Sequence, residues 1–207
     1  PFSQSIASLL PGTTYYFCAF AQNGVGTSFG GIRSFTTPPA IPSVSTSSAT
    51  LVTGTTLTFN GSAVPRGAVA TGYFRYATTN PGVCNDTFGT RVPAAGGTNL
   101  GSGNSTQAYL EAVTGLTRGT TYYFCAIASN SAGTGFGSIV SVTTPNLPSV
   151  TTSAVSSLGG TSAVLNGVVN PNLANATAYF RYSTTNPVTC DDSFGTRLPA
   201  SSGTTIT

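Results

Sequence analysis

The sequence predicts an all-β protein made of tandem Greek-key β-sandwiches, and three observations carry the prediction. Apolar residues come in short runs separated by Gly, Pro and Asn turns. Only 5% of residues are charged, where about a quarter is usual; Ser, Thr, Gly and Ala dominate, with many Tyr and Phe, a mix that suits short strands and polar turns. The same strings also recur at a spacing close to one sandwich domain.

The repeat sets the organisation. Residues 73–91 (YFRYATTNPGVCNDTFGTR) return at 179–197 (YFRYSTTNPVTCDDSFGTR), an offset of 106. The string GTTYYFC at 12–18 returns at 119–125, an offset of 107. The first string to appear belongs to the end of a repeat, and the last to its middle. Residues 39–144 therefore read as one complete repeat, 1–38 as the C-terminal part of a repeat, and 145–207 as the N-terminal part of another. Placed end to end, 145–207 and 1–38 read as one continuous repeat with a loop six residues shorter than in 39–144. The expectation is a two-domain period, or one subunit of a polymer. The chain has neither an initiator Met nor a signal peptide, so it is expected to be a mature form or an excerpt.

Within the complete repeat, strands are expected at 43–47, 55–62, 72–78, 107–114, 120–129 and 138–143. Alternation places Tyr122, Phe124, Ala126 and Ala128 on one face, with Tyr123, Cys125 and Ile127 on the other. Phe74 shares a face with Tyr76, and Leu57 with Phe59.

Composition also excludes classes of function. There is no His, so Ser–His and Cys–His nucleophiles are ruled out. The four acids, Asp86, Glu111, Asp191 and Asp192, do not form a facing pair for glycoside chemistry and make a poor calcium site. No cofactor or metal site is expected, and the protein is not expected to be an enzyme. The seven basic residues are all Arg and are scattered, so nucleic acid is not an expected partner. No apolar run approaches the ~20 residues of a membrane span.

The string Leu9-Leu10-Pro11-Gly12-Thr13-Thr14-Tyr15 resembles the L-x-P-G-T-x-Y signature of fibronectin type III domains, and Leu116 to Tyr122 matches with Arg118 in place of the Pro. The A-x-N-x-x-G that follows recurs at Ala21–Gly26 and Ala128–Gly133. Together with TSAVLNGVVNP and YFRYSTT, the chain resembles repeats of large secreted bacterial surface proteins. The resemblance implies tyrosine corners at Tyr15 and Tyr122, their hydroxyls bonding back to the upstream backbone. The chain departs from the pattern in lacking a Trp on the second strand, where Phe59 and Leu165 stand, and in having cysteines.

The resemblance puts the third and sixth strands side by side in one sheet, which makes Cys84–Cys125 the natural pair within a repeat. That bond should clip a loop across the outside of the sheet. The same logic pairs Cys18 with Cys190 in the joined repeat, so between copies or along a continuing chain. Free or metal-binding thiols are the alternative, disfavoured by the absence of C-x-x-C spacing and of His. Disulfides imply an extracellular, secreted or cell-surface location.

The sequons at Asn60, Asn85, Asn104 and Asn175 are candidate glycosylation sites. The leading functional reading is a structural repeat unit of an extracellular filament or surface fibre. It assembles head to tail as residues 1–38 of one copy complete the sandwich begun by 145–207 of another. The partner is then another copy of the same chain. The alternatives are an adhesion, carbohydrate-binding or spacer module, with Tyr16, Tyr123, Phe88 and Phe194 as candidate sugar-stacking rings, or an accessory piece of a secreted enzyme.

Overall fold

The computed structural model describes all residues, Pro1–Thr207. The regular structure is entirely β. The chain divides into two compact units. One holds Pro1–Leu51, Leu57–Thr114 and Thr121–Val142; the other holds Val52–Thr56, Gly115–Thr120 and Thr143–Thr207.

The first unit begins with two hairpins' worth of strand: β1 (Thr14–Phe17), β2 (Phe20–Gln22), β3 (Thr27–Phe29) and β4 (Arg33–Thr36). β1 pairs with β4 and β2 with β3, both antiparallel. Residues 43–143 follow with nine strands. They are β5 (Ser43–Thr50), β6 (Leu57–Val64), β7 (Thr71–Ala77), β8 (Thr90–Val92), β9 (Thr98–Asn99), β10 (Gln107–Val113), β11 (Thr121–Asn130), β12 (Gly133–Phe136) and β13 (Val140–Thr143). One sheet has the order β10-β6-β5. The other has the order β12-β11-β7-β8, with β13 also on β11 and β9 also on β7. Two antiparallel sheets in this order form a fibronectin type III-like sandwich.

The six expected strands are all present. The second starts at Leu57, since the Thr53 hydroxyl accepts the Thr55 and Thr56 N–H groups and holds those residues in a turn. The sequence reading missed β8, β9 and β12. β12 arises because Asn130 Oδ1 accepts the Ala132 N–H at 2.8 Å and Gly133 takes φ +140°, turning the chain into a tight hairpin. The recurring A-x-N-x-x-G string therefore encodes this turn. The Asn130 amide also donates to the Ala40 and Pro65 carbonyls, each at 2.8 Å.

Between the sheets lies an aromatic core. The Phe59 ring stacks on Phe124 at 4.3 Å between centroids, and Phe74 and Tyr76 flank it at 5.8 and 5.5 Å. Phe59 occupies the second-strand position where the family often carries Trp. Full burial of such a ring is worth about 1.5–3 kcal/mol. The sheets approach closely where Gly61 faces Ala126: a Cβ built at Gly61 would lie 2.6 Å from the Ala126 methyl.

The second unit carries β14 (Ser149–Ser156), β15 (Val164–Asn170), β16 (Ala176–Ala178), β17 (Phe180–Tyr182), β18 (Thr196–Leu198) and β19 (Thr204–Ile206). They pair as β14-β15, β16-β19 and β17-β18. These strands hold the registers of the complete repeat. Ser149 pairs with Asn170 as Ser43 pairs with Val64, and Phe180 pairs with Leu198 as Phe74 pairs with Val92.

Candidate functional site

Alternation along β11 places Cys125 and Ile127 on the outer face of their sheet, yet both are fully buried. The segment between β7 and β8 folds over that face and brings Cys84 and Phe88 onto Tyr73, Cys125 and Ile127, where Ile139 from the β12–β13 connection also packs. Cys84 and Cys125 are joined, with Cα atoms 6.0 Å apart and a sequence separation of 41. A charged clasp shapes the loop from within. Arg75 Nε donates to Asp86 Oδ1 at 2.7 Å, Tyr73 Oη donates to Asp86 Oδ2 at 2.8 Å, and Arg75 Nη1 donates to the Phe88 carbonyl at 2.9 Å. The Arg91 guanidinium lies 3.9 Å above the Tyr73 ring.

The clasp also sets the electrostatics. Burial pushes the Tyr73 phenol up, the hydrogen bond to the Asp86 carboxylate pushes it further, and its pKa rises to about 12. For Asp86, burial alone would raise the pKa. The hydrogen bonds from Arg75 and Tyr73, with the Arg75 and Arg91 charges, outweigh burial and hold the carboxyl below its ordinary value.

The same clasp stands in the second unit, beside a cysteine with no partner. Arg181 Nε donates to Asp192 Oδ1 at 2.7 Å, Arg181 Nη1 donates to the Phe194 carbonyl at 2.7 Å, and Arg197 lies 4.1 Å above the Tyr179 ring. Hydrogen bonding from Arg181 holds Asp192 below its ordinary pKa. The loop is built, and Cys190 is a free exposed thiol upon it. Cys18 is likewise free and exposed.

Both faces of the segment that carries Cys18 are uncovered. Phe124 of the complete repeat is 0% exposed, while Phe17, one repeat offset earlier, is 55% exposed. Phe20 in the first segment is 67% exposed where its counterpart Ile127 is fully buried, and Tyr182 in the last is exposed where its counterpart Tyr76 is half-buried. Gly167 stands where Gly61 does, but its nearest neighbours are the Thr151 carbonyl at 3.2 Å and the Phe180 ring at 3.5 Å; no methyl faces it as Ala126 faces Gly61.

Tyr15 accepts the Leu10 N–H at 2.8 Å, bonding back to the upstream backbone as a tyrosine corner does. Tyr122 is buried, 6.0 Å from the Tyr76 ring. Among the sequons, the Asn60 amide nitrogen donates to the Ser48 carbonyl and the Thr50 hydroxyl. The Asn104 amide donates to the Pro11 carbonyl at 2.9 Å. Asn85 is half-buried, with its Oδ1 accepting from the Thr87 N–H, the Thr87 hydroxyl and the Phe88 N–H. Asn175 is exposed, and of the four it offers its side chain most openly. Among the candidate sugar-stacking rings, Phe88 is packed beneath the loop, Phe194 and Tyr123 are half-buried, and Tyr16 is exposed.

The strand order defines a fibronectin type III-like β-sandwich fold, and the Cys84–Cys125 bond is consistent with an extracellular location. No protein-family model and no curated protein sequence matches the chain. Among solved structures it is similar to the FN1–FN3 domains of chicken CNTN1, with 22% identity, 66% of this chain covered and a TM-score of 0.32. The chain spans 44% of the length of that structure. No helix is long and apolar enough to cross a membrane.

Proposed function

We infer that the protein is a non-catalytic structural unit of an extracellular fibre, and that copies join head to tail as residues 1–38 of one complete the sandwich begun by 145–207 of another. One observation carries the reading: both partial repeats keep the strand registers of the complete repeat while exposing the faces that the complete repeat buries. The β11–β7 register supplies the pattern of the joint. It pairs Phe124 with Tyr76 and Cys125 with Arg75, so Phe17 would lie opposite Tyr182 and Cys18 opposite Arg181. The Asn23 amide would then reach the Asn146 and Pro171 carbonyls, as the Asn130 amide reaches Ala40 and Pro65. Cys18 and Cys190 would close as Cys84 and Cys125 do, two thiols passing two electrons and two protons to a disulfide oxidant of the compartment. Such an interface is heterologous, and it builds an open filament unless rotation closes it.

The test is denaturing electrophoresis of the oxidised 207-residue protein with and without reductant. A ladder of multiples that collapses to monomer on reduction, and that is lost in Cys18→Ser and Cys190→Ser, is expected. Oxidised protein that runs only as monomer would refute the reading.

A further inference from the structure

Residues Pro1–Ile6 carry no strand, and Phe2 and Ile6 are 80% and 64% exposed. At the same distance ahead of the second tyrosine-corner string, Tyr109 and Val113 lie on β10 and are 5% and 6% exposed. We propose that Pro1–Ile6 is a donor strand that folds onto the free edge of β15 in a second copy, in the register that β10 takes on β6. The proposal rests on the head-to-tail reading above and names the segment that makes the first sheet of the joined sandwich whole.

The turn that would follow this strand is already set. Ser8 holds φ +60° where Gly115, just after β10, holds φ +73°. A non-glycine residue in that left-handed region is uncommon and is kept only where the surroundings fix it. The Tyr15 hydroxyl anchors the turn through the Leu10 N–H. Ser8 and the Tyr15 corner thus hold the turn of the complete repeat, and Pro1–Ile6 ahead of it lack only a strand to pair with.

The acceptor is equally prepared. β15 pairs with β14 on one edge and with nothing on the other, leaving a row of backbone donors and acceptors for a strand to satisfy. In the complete repeat β10 fills that edge of β6, with Tyr109 opposite Gly61 and Ala112 opposite Thr58. Carried over by the repeat offsets, Phe2 falls opposite Gly167 and Ser5 opposite Val164.

The ring pocket fits the occupant. Tyr109 packs on Phe74 with ring centroids 5.0 Å apart, and Phe180 stands in Phe74's place. Tyr109 also lies against Gly72, where an added Cβ would come within 2.9 Å of the ring. Ala178 replaces Gly72 in the last segment, and Phe2 replaces Tyr109 in the first. The Tyr109 hydroxyl donates to the Ile127 carbonyl at 2.9 Å and pins the ring. Phe2 has no hydroxyl, so its ring can shift to make room for the Ala178 methyl. The two differences compensate one another although they lie in different partial repeats, which makes a second copy of this chain the occupant.

The experiment uses the full chain with Cys18→Ser and Cys190→Ser, to which Ser5→Cys and Val164→Cys are added under mild oxidation. A reducible ladder from this register pair, and none from Gln4→Cys with Val164→Cys, whose side chains point to opposite faces, supports the donor strand. In the otherwise wild-type chain, Phe2→Ala is expected to weaken association about a hundredfold in sedimentation, with the Cys84–Cys125 repeat still folded. A wild-type chain that polymerises through Cys18 and Cys190, while the register pair stays monomeric and Phe2→Ala associates normally, overturns the donor strand and leaves the head-to-tail reading standing. A wild-type chain that never associates overturns both.

Discussion

Replacing Gly61 with alanine would put a methyl group 2.6 Å from the Ala126 Cβ and 3.2 Å from the Phe74 ring. Carbon atoms in contact prefer about 3.5–4.0 Å, so the two sheets must part by roughly 1 Å there. Overpacking of this kind costs about 1–3 kcal/mol. Relief from a strand-interior glycine returns about 0.5–1 kcal/mol. The central values leave a net loss of about 1 kcal/mol, or a melting temperature lower by roughly 4–8 °C for a domain near 100 residues. Gly167→Ala is the matched control. Its nearest neighbours are a carbonyl at 3.2 Å and the Phe180 ring at 3.5 Å, so in the unassembled chain the change should be neutral or slightly stabilising. On assembly Ala19 would arrive where Ala126 stands, and association should weaken by about five- to a hundredfold. Circular dichroism melts read the first effect and sedimentation the second. Equal melting of Gly61→Ala and wild type, or undiminished association of Gly167→Ala, would refute the reasoning.

Two further predictions concern the clipped loop. Cys84→Ser with Cys125→Ser opens a loop of 41 residues and should cost about 4 kcal/mol in the loop-entropy model, seen as a lower denaturation midpoint that reductant no longer changes. Tyr73, with its pKa raised to about 12 in the fold, should lend stability that is complete below pH 10 and lost as pH rises through 12. Absorbance titration of Tyr73→Phe should therefore lose one late-ionising phenol, and the variant's stability should fall less between those two pH values.

The fold was largely legible in the sequence because periodicity reports which face is inside. Leu57, Phe59, Phe74 and Phe124 alternate as a sandwich core requires, and all four are buried. The position of Cys125 on the outward face of β11 pointed to a loop clipped across it. Two side-chain environments were not legible. One is the burial of Ile127, an outward residue, which depends on how the segment from Asn80 to Gly89 drapes over the sheet, and a non-local contact leaves no period in the sequence. The other is the engagement of Asn60. Its amide reaches Ser48 and Thr50 because the β5–β6 register shifts between Ser47 and Thr50, and a sequon reads the same wherever a bulge lies. Similarly, β12 was hidden in a Gly-rich string whose strand character comes from the hairpin turn at Asn130 rather than from its own residues.

The hairpins of residues 14–36 and the clasped loop of residues 181–195 sit in different segments of the chain and have different shapes. A chain of copies built through them has polarity: its two tips present unlike surfaces and accept unlike additions. In such a chain, growth at either tip would regenerate the surface just consumed, so the joint itself would set no length. Termination calls for a protein carrying only one of the two halves, and such a cap would stop one tip and leave the other free to extend.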